Sequence, residues 1–221
     1  MFYKKNFFNN FYIKSNNLNK NLKKTKKITK ALIDEIDNCN IPVLEPHKKD
    51  FDFDFSNNLV KKFSKYKNIV IIGMGGSILG TKSIYSFLKK KIKKEVFFFD
   101  NLDLNLHSEF IKIKNFKNSC FIVVSKSGNT LETITNLGTI FSKVLLKNRL
   151  IVISEIKDNS LMDIAFKYNA EIIGHKTYIS GRYSVLSEPG MFPASLMGLN
   201  LKQFKNLKML IKNKKFIFRP I

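Results

Sequence analysis

The chain has 221 residues, 44% of them hydrophobic, and a net charge of +22. It can hold one domain with extra elements, or one and a half domains, and it has apolar content enough for a core. No run approaches the roughly 18 apolar residues of a membrane span, and Lys4, Lys5, Asn6, Asn9 and Asn10 interrupt the start where a signal peptide would be apolar. The positive excess is almost all lysine, scattered among Asn, Ile and Phe, and the triplet Phe97, Phe98 and Phe99 lies in a run that reads as buried. That argues against nucleic acid as a main partner and suits an anionic small substrate. Cys39 and Cys120 are far apart, without metal spacing or a disulfide framework, as in a reducing cytoplasm.

In chain order, Leu18, Leu22, Thr25, Ile28, Leu32 and Ile36 recur at helical spacing among lysines. They predict an amphipathic helix packed against the main domain. Residues 40–55, with Pro42 and Pro46, read as an extended connection. From residue 68 onward short apolar runs alternate with periodic stretches. Strands are predicted at 68–73, 95–99, 120–124, 150–153 and 171–173, with helices at 77–91, 104–113, 130–146 and 160–168. Continuous β-branched runs indicate strands covered on both faces, and helices between them indicate βαβ units. The fold class is therefore α/β, a three-layer α/β/α domain with a five-stranded parallel sheet. The expected organisation is a helical segment at 1–58, the α/β domain at 59–178, and the start of an incomplete second domain at 179–221. Within this final region, helical stretches at 192–199 and 201–212 are expected to leave Met191, Phe192, Leu196 and Met197 poorly covered, so that the isolated chain self-associates or is marginally soluble.

Ligands of an open parallel sheet sit beyond the carboxyl ends of its strands, and three polar loops lie there or just past the last strand. The first, Gly-Met-Gly-Gly-Ser-Ile-Leu-Gly at 73–80, lets the backbone turn and come close to a ligand, with Ser77 its first polar side chain. It has neither the P-loop ending nor the dinucleotide glycine spacing, and close helix–sheet packing explains it equally well. The second, Ser-Lys-Ser-Gly-Asn-Thr-Leu-Glu-Thr at 125–133, crowds hydroxyl and amide donors before a helix, as a phosphate group requires. Ordinary capping by Ser127 or Asn129, with Glu132 completing a capping box, needs only one of these donors. The third, at 181–190, carries Arg182, one of three arginines among many lysines, where a fixed fork of donors is needed for a ligand or for an ion pair.

Together and in this order, these segments resemble the phosphoglucose isomerase family over residues 69–200, including Pro-Gly-Met-Phe-Pro-Ala after the arginine motif. The resemblance implies that Gly76 and Ser77 contact a sugar, that Ser125, Lys126, Ser127 and Thr130 hold its phosphate, and that Arg182 stabilises an enediolate. The implied reaction interconverts glucose 6-phosphate and fructose 6-phosphate, in glycolysis and gluconeogenesis, without cofactor or metal. Implied partners are the sugar phosphate and a homodimer mate or a complementing carboxy-terminal fragment, with no membrane and no nucleic acid. The family's glutamate base, ring-opening histidine and late lysine lie downstream of the arginine motif, and no segment of this chain matches them. His47, His107 and His175 match no catalytic motif, and Glu188 is not expected to be the base. Ser180 replaces a second glycine before Arg182. A non-catalytic sugar-phosphate sensor is the other function this domain type implies.

Overall fold

The structure, a computed structural model, describes residues 15–38, 41–48, 50–103, 116–142 and 147–205. Five strands form one all-parallel sheet in the order β2-β1-β3-β4-β5: β1 (Asn68–Gly73), β2 (Glu95–Phe99), β3 (Ser119–Val124), β4 (Leu150–Ser154) and β5 (Glu171–Gly174). The chain leaves β1 toward β2 on one side and returns to β3 on the other. The switch point of the sheet therefore lies between the carboxyl ends of β1 and β3, and the first two polar loops start there.

The strands read as unbroken apolar runs because both faces are covered. Val70, Ile72, Phe121 and Val123 pack on Leu137 and Ile140 of α4 (Leu131–Phe141) and Leu161 and Ala165 of α5 (Ser160–Lys167). The alternate residues Ile69, Ile71, Ile122 and Val124 pack on Phe63 of α2 (Asn57–Ser64), Ile78 of α3 (Gly76–Leu88) and Phe192 of α6 (Glu188–Leu196). Period-two alternation thus divides each strand between two apolar layers. A short helix α7 (Leu201–Phe204) follows.

Several expectations need correction. Met191, Phe192, Leu196 and Met197 are all buried, at 3% exposure or less. They complete the core of this domain, which removes the reason to expect self-association through them. The first helix, α1 (Ser15–Asn38), forms as predicted, but Leu22, Ile28 and Leu32 on it are exposed instead of packed on the domain. The connection contains a 3-10 helix, Pro42–His47, and is followed by the unforeseen α2, whose first turn is closed by Ser56 accepting from Leu59 N at 3.2 Å. Along the rest of the connection, alternation puts Phe51, Phe53 and Phe55 in one aromatic ladder that ends on Phe192. Asp54, between them, accepts a hydrogen bond from Gly174 N at the end of β5. Helix 104–113 and the end of helix 130–146 fall outside the described residues, as does 206–212.

Candidate functional site

The Gly-rich loop and the arginine segment meet as backbone on backbone. A Cβ on Gly76 would stand 2.4 Å from Gly181 C and O and 2.8 Å from Arg182 N, so only glycine permits this approach. Residues Gly181–Leu186 form a 3-10 helix where a loop was expected. Ser184 Oγ donates to Gly181 O at 2.8 Å and lies 3.3 Å from Gly76 O, while Thr81 Oγ1 donates to Pro189 O at 2.9 Å. The arginine segment is thereby stitched to α3 on both sides of Arg182, whose side chain is exposed. Ser180 adopts φ −70° and ψ 149°, ordinary extended backbone, so the replacement of glycine costs nothing there. Ser77, half-buried, sits in the first turn of α3, whose amino terminus has no side-chain cap.

At the second loop the ordinary capping explanation does not hold. The N-cap of α4 is Thr130, and its side chain makes no capping bond. Asn129 is turned away, its Oδ1 accepting from Ser160 N of α5 at 2.9 Å, and Ser127 Oγ accepts from Asn129 N at 3.3 Å. The first-turn amides of α4 are thus left without a side-chain acceptor, at the positive end of the helix dipole. Ser125 is buried beneath the loop. Its Oγ lies 2.8 Å from Thr130 Oγ1 and accepts from Gly128 N at 3.2 Å, so it braces the turn, while Ser127 is exposed and Thr130 half-buried. Gly128 has φ +74°, and a Cβ there would fall 1.9 Å from Asn159 Oδ1.

Lys126 does not point freely outward. Its Nζ donates to Thr177 O at 2.6 Å and lies 3.5 Å from Glu155 Oε1. Glu155 Oε2 in turn pairs with Lys157 at 2.5 Å, and Glu155 N donates to Lys126 O at 3.1 Å. The hydrogen bond from Lys157, with the charges of Lys157 and Lys126, holds the Glu155 carboxyl below its usual range despite some desolvation. Glu155 and Thr177 were missed from the sequence. The signal available was position, because Glu155 directly follows β4 at the same end of the sheet.

The other titratable groups near this edge are poorly suited to proton transfer. Glu188 is wholly buried at the start of α6; Oε1 accepts from Asp54 N at 3.3 Å and faces Lys176 at 3.9 Å, and Oε2 has no hydrogen-bond partner. Burial pushes its carboxyl up, against the opposing backbone hydrogen bonds and Lys176. His175 is buried at the end of β5 with Nδ1 3.0 Å from Lys176 O, and burial pushes its pKa down. His47 is half-buried in the connection, and His107 lies outside the described residues. Among the described residues there is no group of three or more His, Cys, Asp or Glu able to hold a metal ion, and no helix long and apolar enough to cross a membrane.

The sequence profile described as phosphoglucose isomerase matches residues 49–217, spanning all three loops. The chain belongs to the phosphoglucose isomerase family. Among its relatives, glucose-6-phosphate isomerase of Methanocaldococcus jannaschii is 31% identical over 159 residues, which cover 70% of this chain and 39% of the relative. Glucose-6-phosphate isomerase of Borreliella burgdorferi is 37% identical over 139 residues, 58% of this chain and 26% of the relative. The chain thus spans well under half the length of these curated relatives. Two solved structures share the fold. A hypothetical protein from Thermus thermophilus has a TM-score of 0.69 at 17% identity over 87% of this chain and 49% of its own. A glucose-6-phosphate isomerase from Chlamydia trachomatis has 0.58 at 24% over 69% and 30%. Membership of this family and the doubly covered parallel sheet agree with what the three loops imply.

Proposed function

We propose that this chain carries the sugar-phosphate-binding domain of an aldose–ketose isomerase that interconverts glucose 6-phosphate and fructose 6-phosphate through a cis-enediol, as cytoplasmic enzymes of glycolysis and gluconeogenesis do. The observation that carries the reading is the uncapped start of α4, surrounded by hydroxyls, on the same sheet edge as the Gly76–Arg182 backbone contact. The phosphate is held by Ser127, Thr130 and the amides of the loop, Lys126 N among them, with Ser125 bracing the turn. Gly76 and Ser77 face the sugar. Arg182 stabilises the negative charge of the enediolate, an effect commonly worth about 3 kcal/mol in the barrier. No cofactor enters this scheme.

Moving the proton between C2 and C1 needs a base within reach of the sugar. Glu188 is enclosed in the core and His175 is buried, so neither meets that need. The base and the ring-opening acid then come from the remainder of the isomerase, supplied as further sequence or as a complementing fragment.

Calorimetric titration of the chain with fructose 6-phosphate is the test. Binding is expected, with turnover appearing only when the carboxy-terminal region of a relative is added, and lost again in Arg182→Ala. Absence of binding overturns the reading. Binding without turnover under any such complementation favours the non-catalytic module, and turnover by the chain alone that Arg182→Ala abolishes places the base within it.

A further inference from the structure

Lys126 sits in the phosphate loop, yet its ammonium is already engaged by partners from two other segments. Of its three N–H donors, one is directed at Thr177 O at 2.6 Å, and Glu155 Oε1 stands 3.5 Å away. The Lys126 side chain is 28% exposed and that of Glu155 only 12%, so the pair is partly withdrawn from solvent screening. Glu155 is itself fixed twice over, by Lys157 on its second oxygen and by its own N–H on Lys126 O. Thr177 precedes Arg182 by a short turn in which Ile179 N donates to Lys176 O and Tyr183 N to Ser180 O. Lys126 and Lys157 share the one Glu155 carboxylate, so the cluster stays positive, but the Lys126 ammonium is directed at Thr177 O and Glu155 and away from free solution. The same lysine makes a firm link between the end of β3 and the segment leaving β5.

Resting on the proposed sugar-phosphate reading, we infer that Lys126 is a positioning residue that ties the phosphate loop to the arginine-bearing segment, and that Glu155 holds it in that role. Phosphate attraction then falls to the hydroxyls and amides of the loop. The distance between the phosphate anchor and Arg182 is set by the Lys126–Thr177 bond together with the Gly76–Gly181 contact.

The two roles predict opposite signs for one substitution. If Lys126 were a phosphate ligand restrained by Glu155, Glu155→Gln would free its charge and tighten binding. As a tether, Lys126 loses in that variant the carboxylate that holds its ammonium toward Thr177 O, and binding weakens. Fructose 6-phosphate affinity is measured by calorimetry for the full chain, Lys126→Met, Glu155→Gln, the double variant and Lys126→Arg. Expected is a loss of roughly three- to tenfold in each single neutralising variant, the range for one supporting hydrogen bond. The double variant should be no weaker than Lys126→Met, and Lys126→Arg, which keeps charge and donors, should bind close to wild type. Tighter binding by Glu155→Gln, or no change in either single variant, overturns the inference. Amide hydrogen exchange of residues 177–184 without ligand provides a separate readout. Faster exchange in both Lys126→Met and Glu155→Gln supports the tether, and unchanged exchange overturns it. Because that measurement needs no substrate, its result stands even if the wild-type chain binds no sugar phosphate, an outcome that would sink the proposed function alone.

Discussion

Helices α4 and α5 pack side by side on one face of the sheet, yet they begin in opposite ways. At α5, Asn159 accepts from Met162 N at 3.0 Å, and its Nδ2 donates to Lys157 O at 2.9 Å and Glu155 O at 3.2 Å. At α4, a segment richer in hydroxyls leaves the first-turn amides without a side-chain acceptor, and Asn129 serves its neighbour instead. A helix that only has to pack is completed by its own cap. One left open at the switch point of a parallel sheet keeps its donors for a ligand. The difference lies in where the side chains are directed, since both starts carry residues able to cap.

The largest effect is expected from Gly128→Ala. The residue joins the two helix starts, and a Cβ at φ +74° would collide with the Asn159 amide. We expect a loss of about 3 kcal/mol in denaturant unfolding, and of fructose 6-phosphate binding with it. Asn159→Ala should cost about 2 kcal/mol by the same measurement, because it removes a cap and several buried bonds at once.

Glu188 sharpens the contrast from a third helix start, that of α6, where a carboxylate sits beside the positive helix end but burial outweighs it. Its folded pKa is raised, so its contribution to stability is fully present below the ordinary carboxyl range and is lost as pH rises through the raised value. Glu188→Gln should therefore match wild type near pH 4 and exceed it by about 1 kcal/mol at pH 8, in paired urea melts. A stability difference that does not grow with pH would contradict this account. The smallest effect on stability is expected from Ser127→Ala, within about 0.5 kcal/mol since the side chain is exposed. The same variant should weaken fructose 6-phosphate several-fold by titration. Weakening without destabilisation is what separates an open helix start from a capped one.

The sheet was legible because Ile69–Ile72 and Phe121–Val124 are buried on both faces, which makes a parallel strand a continuous apolar run. The three loops were legible because glycine and hydroxyl clusters are unusual directly after such runs. Helix α2 was not, because its eight residues, Asn57–Ser64, offer only Leu59, Val60 and Phe63 as apolar positions, too few to show a helical period. The apolar character of residues 191–197 was plain, but the core they join was not. Phe55, Phe63 and Ile78, which cover them, lie more than a hundred residues away in sequence.

Local and periodic features were therefore readable along the chain: strand identity, the longer helices, the fold class and the residue types gathered at each loop. Spacing along a chain records which faces are apolar and which turns need glycine. The tertiary structure decided the pairings. It placed Gly181 against Gly76, turned Asn129 toward α5, sent the Lys126 ammonium to Thr177 and closed the core over Phe192. Such choices depend on groups brought together by the crossing of distant segments, and no local pattern encodes which of several capable partners a side chain meets.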